Sequence, residues 1–485
     1  MPSPTLAAMS SPLPSSSYRA FAEQALSRTA GAPLLAGNAI ELLIDAEAHY
    51  AAWLAAIRGA RQHVLLENYL IRDDSVGRAF RDALTERALA GVRVAVIGDW
   101  LGCLGQSRAG FWKPLRAAGG EVRVFNPPRL GQSLGWLCRD HRKMLTVDGR
   151  VGFLSGVCLS AKWLGDPRRG VPPWRDTGVA LRGPAVAALQ DAFAQSWRSL
   201  GTPLPLPAVE AADRAGDVAL RVIATRPASA GIYRLDQLIA AMARHTLWLT
   251  DAYFVGLPPY VQALVAAARD GVDVRLLVPG SSDIPSVASL SRAGYRPLLE
   301  AGIRVFEWNG SMLHAKTAVA DGRWARVGSS NLNFASWLSN YELDVAVEDT
   351  GFAAQLAAQY ERDLEQATEI VLSPRRFPRG ERVRTRHEPP PRPRHPGGSS
   401  SRAAAGALRI ANSVSAALSA RRRELGEAPS GPLLGGAALL LSLALLGTCW
   451  PALLAWPLAA LAAWFALNLG IDGWRQYRRR RSGRS

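Results

Sequence analysis

Two histidine–lysine pairs are the residues of this chain best suited to chemistry: His141 with Lys143, and His314 with Lys316. In an extended segment residues i and i+2 point to one side, so each imidazole emerges beside its own ammonium group. Each pair is followed seven residues beyond the histidine by an aspartate, Asp148 or Asp321, which leads into Gly-Arg, a turn and a second strand-like run. Those runs end in small residues, Ser155-Gly156 in the first copy and Gly328-Ser329-Ser330-Asn331 in the second. A neutral imidazole is a nucleophile near pH 7, and a second, protonated one can give a proton to a departing alkoxide. Two lysines would hold the non-bridging oxygens of a phosphodiester, with Ser155, Ser329 and Asn331 as neutral donors. Such a site needs no metal or other cofactor, and no HExxH pattern or His/Cys cluster points to one.

The chain contains seven histidines, and His49, His63 and His245 read as ordinary core or surface residues of helices and strand entries, with His387 and His395 in a Pro/Arg-rich stretch. One HxK followed by an aspartate arises easily by chance. Two copies with equal internal spacing, 173 residues apart, do not.

The elements that must carry these pairs are themselves duplicated. "HVLLENYLIRDDSVGRAFRDALTERALAGVRVAVIGD" and "TLWLTDAYFVGLPPYVQALVAAARDGVDVRLLVPG" follow one plan: a strand, a loop, an amphipathic helix, a Gly-Val turn and another apolar strand. The parallel continues in "AAGGEVRVFN" and "EAGIRVFEWN". Strands alternating with helices predict an α/β fold of two similar lobes with largely buried sheets. Packing about a pseudo-twofold axis would set equivalent strand ends facing each other across one cleft.

The doubled pattern HxKxxxxDxxxxxxGSxN resembles the phospholipase D superfamily, and the second copy matches in full: His314, Lys316, Asp321, Gly328, Ser329 and Asn331. The runs "LLENYLIRDDSVG", "RDHRKMLTVDGR", "WRDTGVALRGPAV" and "MLHAKTAVADGRWARVGSSNLN" are similar to bacterial cardiolipin synthases, especially the compact type called ClsB, over roughly 18–372. The resemblance implies a ping-pong transfer through a phosphohistidine, with phosphatidylglycerol as phosphatidyl donor and acceptor, phosphatidylethanolamine and free glycerol staying open as acceptors. It assigns the nucleophile to His141 and the general acid/base to His314, the reverse assignment staying open. It also implies a carboxylate downstream of each motif that orients the histidine, Asp176 in the first half and Glu342 in the second. Asp148 and Asp321, although part of the catalytic motif, are expected to tie the turn. The first copy departs from the family pattern: Ser155-Gly156-Val157-Cys158 stands where Gly-Gly-x-Asn is usual, and a thiol is a poor donor beside an amide.

Charge and hydropathy divide the rest. The formal net charge is +17, yet from residue 374 onward 19 arginines face 5 acidic residues, leaving 38 basic against 35 acidic residues before it. The lobes are thus nearly neutral, which argues against a nuclease with a basic groove. The four cysteines show no metal spacing and read as reduced thiols. The expected organisation is a disordered start over 1–17, lobes over 18–205 and 206–372, a Pro/Arg-rich linker over 373–401 and an amphipathic helix over 402–424. Two transmembrane helices over 432–471 and a basic tail over 472–485 complete it. An apolar run of that length suits two crossings of about 20 residues each. Basic clusters at Arg421–Arg423 and Arg478–Arg481 put both ends, and the catalytic part, on the cytoplasmic side of a bacterial inner membrane. Phospholipids and the membrane are the expected partners, and nucleic acid is not. A hydrolytic phospholipase D releasing phosphatidic acid fits the same motif, because only the acceptor differs.

Overall fold

The computed structural model describes residues 15–105, 110–128, 138–204, 213–227 and 229–372, with eight isolated helical residues between 441 and 471. The expected linker, the amphipathic helix, the two transmembrane helices and the basic tail lie outside the described residues apart from those eight. Among the described residues no helix is long and apolar enough to cross a membrane.

The first half contributes strands Leu35–Ile44 (β1), His63–Asn68 (β2), Arg93–Asp99 (β3), Glu121–Phe125 (β4), Lys143–Val147 (β5), Val151–Ser155 (β6) and Thr177–Arg182 (β7). The second contributes Val218–Thr225 (β8), Thr246–Thr250 (β9), Asp273–Pro279 (β10), Arg304–Trp308 (β11), Thr317–Ala320 (β12), Trp324–Gly328 (β13), Glu342–Val347 (β14) and Ala367–Ile370 (β15). All join one sheet in the order β15-β11-β10-β9-β12-β13-β14-β8-β1-β7-β6-β5-β2-β3-β4. Read outward from the β1–β8 pair, β7-β6-β5-β2-β3-β4 mirrors β14-β13-β12-β9-β10-β11, so the sequence duplication is a structural one. Within each half β2-β3-β4 and β9-β10-β11 run parallel, while β5-β6-β7 and β12-β13-β14 are antiparallel.

The strands are apolar on both faces because both faces are covered. In β2, Val64 and Leu66 point into a core that holds Trp53, Ile57, Phe80 and Leu84, whereas Leu65 points into another. That second core is shared: Leu65, Met144, Val179 and Phe193 of one half pack with Leu220, Val327, Leu343 and Phe352 of the other. The lobes therefore share one sheet and one apolar face. A third core, around Ile232, Leu264, Val274 and Trp337, belongs to the second half.

The amino-terminal boundary differs from expectation. A helix spans Ser15–Ala30, across the expected boundary at residue 18. Although it precedes the first lobe in the chain, its Leu26 and Ala30 join the second lobe's core beside Ile232 and Leu235. Hydrophobic periodicity marks a buried helical face but does not say which core receives it.

A buried ion pair also crosses between the halves. Arg175 Nε and Nη2 donate to Asp363 Oδ1 and Oδ2, both at 2.8 Å, and Nη1 donates to Thr177 Oγ1 at 2.8 Å. Replacing Arg175 by alanine would leave the Asp363 carboxylate, 6% exposed, without its cation and with the Gln359 amide as its remaining side-chain donor. Denaturant titration is expected to record a loss of about 3–5 kcal/mol. Exchanging both partners for apolar residues of similar volume should cost much less.

Candidate active site

The two histidines meet in one cleft of about 900 Å³ at the junction of the halves. Neither lies inside a strand: β5 begins at Lys143 and β12 at Thr317, two and three residues later. Short backbone bridges hold them instead. His141 N donates to Tyr341 O at 2.9 Å and Tyr341 N to Arg139 O at 2.8 Å. On the other side His314 N donates to Arg175 O at 2.7 Å and Arg175 N to Met312 O at 2.8 Å. Each bridge joins a histidine segment of one half to the residue just before the carboxylate of the other.

The carboxylates are consequently exchanged. His141 Nδ1 lies 2.9 Å from Glu342 Oε2 and 3.1 Å from Oε1, and His314 Nδ1 lies 2.8 Å from Asp176 Oδ2. Order along the chain suggests pairing each carboxylate with the motif of its own half, His141 with Asp176 and His314 with Glu342; the fold pairs them crosswise. With Nδ1 held by a carboxylate, Nε2 of each ring is the nitrogen left for the cleft.

Burial pushes both imidazoles down, His314 to about 4, with the neighbouring ammonium of Lys143 or Lys316 acting in the same direction. Burial alone would raise the carboxylates, but His314 and Lys316 hold Asp176 below the usual range, and His141 does the same for Glu342. Lys143 and Lys316 are buried behind the rings, each donating to the carbonyl of its own histidine, and Lys316 Nζ lies 3.0 Å from His314 Nδ1. Burial lowers both ammonium groups, Lys316 to about 8. Arg72, Arg139 and Lys162 line the cleft, Arg139 paired with Asp99 and Lys162 with Asp283, which lines it too.

The shifted imidazoles have a measurable consequence for folding. Below pH 6.5 the unfolded chain takes up a proton on residue 314 that the folded chain refuses until about 4. Stability should fall by about 1.4 kcal/mol per pH unit as pH drops through that window. Denaturation midpoints compared between pH 7 and 5 check it, and His314→Gln should flatten the dependence.

Other expected site residues take different posts. Asp148 accepts from the backbone N–H groups of Arg61, Gln62 and His63 at 2.8–2.9 Å, and Asp321 from those of Arg244, His245 and Thr246 at 2.8–2.9 Å. Both sit at positive φ, 55° and 50°, and pin the β5–β6 and β12–β13 turns to a neighbouring strand. Both tie turns, and neither lines the cleft.

The phosphate-binding expectation for the serines does not fit the geometry. Ser155 Oγ accepts from Val157 N at 3.0 Å. Ser329 Oγ donates to Glu342 Oε2 at 2.5 Å and accepts from Leu343 N at 2.9 Å, so it serves the carboxylate rather than a phosphate. Neither serine lines the cleft, nor does Asn331, whose Oδ1 is buried without a hydrogen-bond partner. Cys158 does line it, at 2% exposure, and burial pushes its thiol up.

Sequence reasoning passed over the aromatic wall. Tyr69 stands edge-on to His141 with ring centroids 5.1 Å apart. Trp163, Trp174 and Tyr253 surround His314 at 5.4, 5.6 and 5.8 Å. "ENYLI" and "TDAYFV", each at the end of the first strand of a repeat, were a usable signal for the tyrosines.

A doubled lobe with a histidine from each half at one cleft defines the phospholipase D-type α/β fold. Comparison with known proteins narrows this. A family model described as cardiolipin synthase, PLD-like domain, matches residues 236–364. Cardiolipin synthase A of Pseudomonas aeruginosa (strain LESB58) is 35% identical over 364 residues, covering 73% of this chain and 72% of that protein. Cardiolipin synthase A of Pseudomonas putida (strain GB-1) is 33% identical over 367 residues, covering 74% of each. The crystal structure of phosphatidylserine synthase from Haemophilus influenzae Rd KW20 superposes with a TM-score of 0.58 at 14% identity, covering 72% of this chain and 91% of that one. That likeness is one of fold alone. The chain belongs to the cardiolipin synthase family of phospholipase D-like proteins. The matched relatives carry the name cardiolipin synthase A, so the match does not single out the compact ClsB type.

Proposed function

We propose that this protein is a phosphatidyltransferase that joins two phosphatidylglycerol molecules into cardiolipin and releases glycerol. The observation that carries this reading is the crosswise site: two imidazoles, each with Nδ1 held by a carboxylate, present Nε2 to one cleft. The relatives named cardiolipin synthase support the choice of substrate class.

His141 Nε2 attacks the phosphorus of the first lipid, a P–N bond forms as the P–O bond to glycerol breaks, and His314 gives its Nε2 proton to the departing oxygen. The hydroxyl of a second phosphatidylglycerol then gives its proton to His314 and attacks phosphorus, and the P–N bond breaks. Burial and the neighbouring lysines disfavour the protonated form of both rings in the free protein, so the acid must gain proton affinity as substrate binds. An anionic phosphodiester between the rings offsets the lysine charges that depress them, which raises His314 when the proton is needed. Lys143 and Lys316, buried behind the rings, supply positive charge from there as negative charge builds on the non-bridging oxygens. Asp176 and Glu342 fix the tautomers and stabilise each imidazolium.

Placement at a bacterial cytoplasmic membrane belongs to the same proposal and rests on the apolar stretch 432–471 and its basic flanks. The test uses the full chain in a bacterium lacking its own cardiolipin synthases. Cardiolipin in the extracted lipids is the expected result. Phosphatidic acid without cardiolipin would replace transfer by hydrolysis, and unchanged lipids would sink both.

A further inference from the structure

The two half-sites hold their carboxylates by different means, and the difference starts at one position of the repeat. Ser155 and Gly328 occupy equivalent ends of β6 and β13, facing Gly178 of β7 and Asp344 of β14. The next residue is Ser329 in the second half and Gly156 in the first. Ser329 gives Glu342 its hydroxyl, and Asn340 Nδ2 adds a longer bond at 3.3 Å. Gly156 can offer nothing, and no side chain fits there, because a Cβ would collide with Asp176 Oδ1.

Asp176 is not left short of donors. Trp163 Nε1 donates to Asp176 Oδ2 at 3.0 Å, the same oxygen that faces His314, and Thr177 N donates to Oδ1 at 2.9 Å. We infer that Trp163 is the positioning residue of the His314 half-site, its indole N–H holding Asp176 as the Ser329 hydroxyl holds Glu342.

The local structure fixes the indole for this task. Trp163 lies in a 3₁₀ turn, Ala161–Leu164, whose first N–H groups are capped: Ser160 Oγ accepts from Lys162 N at 3.2 Å, and Asp74 Oδ2 from Ala161 N at 2.8 Å. Tyr50 Oη holds the incoming segment by donating to the carbonyls of Cys158 and Ser160, at 2.6 and 2.9 Å. Trp174 N donates to Trp163 O at 3.1 Å, and its ring packs on the indole at a centroid distance of 4.5 Å. Trp163 is 4% exposed, so the bond is made away from water, where a donor to a charged acceptor is strongest. The same ring stands at 90° to His314, so one side chain both aims the carboxylate and walls the imidazole.

The inference rests on the proposed role of His314, and the experiment separates the two. In the full chain Trp163 is replaced by benzothienylalanine, which keeps the shape of the indole and puts sulfur where the N–H was; Trp163→Phe accompanies it. Two quantities are read: cardiolipin formation from phosphatidylglycerol vesicles, and the pH midpoint at which diethylpyrocarbonate labels His314 and His141, mapped by mass. Loss of the donor leaves more negative charge facing the ring, so the His314 midpoint should rise by about half a unit while that of His141 stays put. Turnover should fall roughly tenfold with KM within about twofold. Ser329→Ala should give the mirrored result, moving His141 alone. A benzothienylalanine chain with unchanged turnover and unchanged His314 midpoint would overturn the inference, because packing would then be all that Trp163 supplies. The labelling is read on the protein whatever it transfers. Absence of cardiolipin in the wild type would therefore defeat the functional reading alone.

Discussion

His141→Ala and His314→Ala are each expected to reduce cardiolipin formation by roughly 10⁵-fold, and the double variant by little more than either. The reason for the shared floor is that the two rings serve one reaction: without His141 no P–N bond forms, and without His314 the departing glycerol has no proton donor. Neither change should unfold the protein. With the His141 ring gone, Glu342 keeps the donors Ser329 and Asn340; with the His314 ring gone, Asp176 keeps Trp163 and the Thr177 N–H. Purified variants assayed on phosphatidylglycerol vesicles supply the rates, and thermal unfolding checks the fold. Additive losses in the double variant would mean that the histidines act in separate events.

Glu342→Gln and Asp176→Asn should each slow the reaction by about 10³–10⁴-fold, because an amide cannot fix the same tautomer or stabilise an imidazolium. Their finer effects should reveal the crossing. Glu342→Gln removes a negative charge beside His141, 201 residues earlier in the chain, and should lower the proton affinity of that ring alone. Asp176→Asn should do so for His314, 138 residues later. The labelling midpoints of the two histidines in the two variants measure this directly. A shift of His141 in Asp176→Asn, with none in Glu342→Gln, would restore pairing within each half.

Much of this could be read from the residues. The repeat fixed the α/β class, the two halves and the His-Lys pairs, because equal spacing of identical residue types is a strong signal even in one sequence. Asp176 and Glu342 were identified, but not which ring each would serve. Spacing along the chain measures offsets within a half; the crossing depends on two backbone bridges, Asp140 with Tyr341 and Leu313 with Arg175. Nothing in those four residue types announces them. The helix Ser15–Ala30 escaped its assignment for a similar reason, since an apolar face does not name its partner.

Ser155 and Ser329 were misread as phosphate donors because a small hydroxyl near a catalytic pair has several possible clients. Only the folded geometry shows that the Ser329 hydroxyl meets Glu342 while Gly156 lies against Asp176. The departure of the first motif from the second was the visible clue: a position that loses its hydroxyl needs another donor. Trp163, seven residues after Gly156, supplies it from a turn that no repeat marks.

The central claim is a covalent phosphatidyl group on His141, and the most direct measurement is its capture. Full chain turning over phosphatidylglycerol is quenched in base, where a phosphohistidine survives, then digested and mapped by mass. A phosphatidyl adduct on the peptide bearing His141, absent from His141→Ala, is the predicted result. Cardiolipin formed at full rate with the adduct on His314, or with no adduct on either ring, would contradict it.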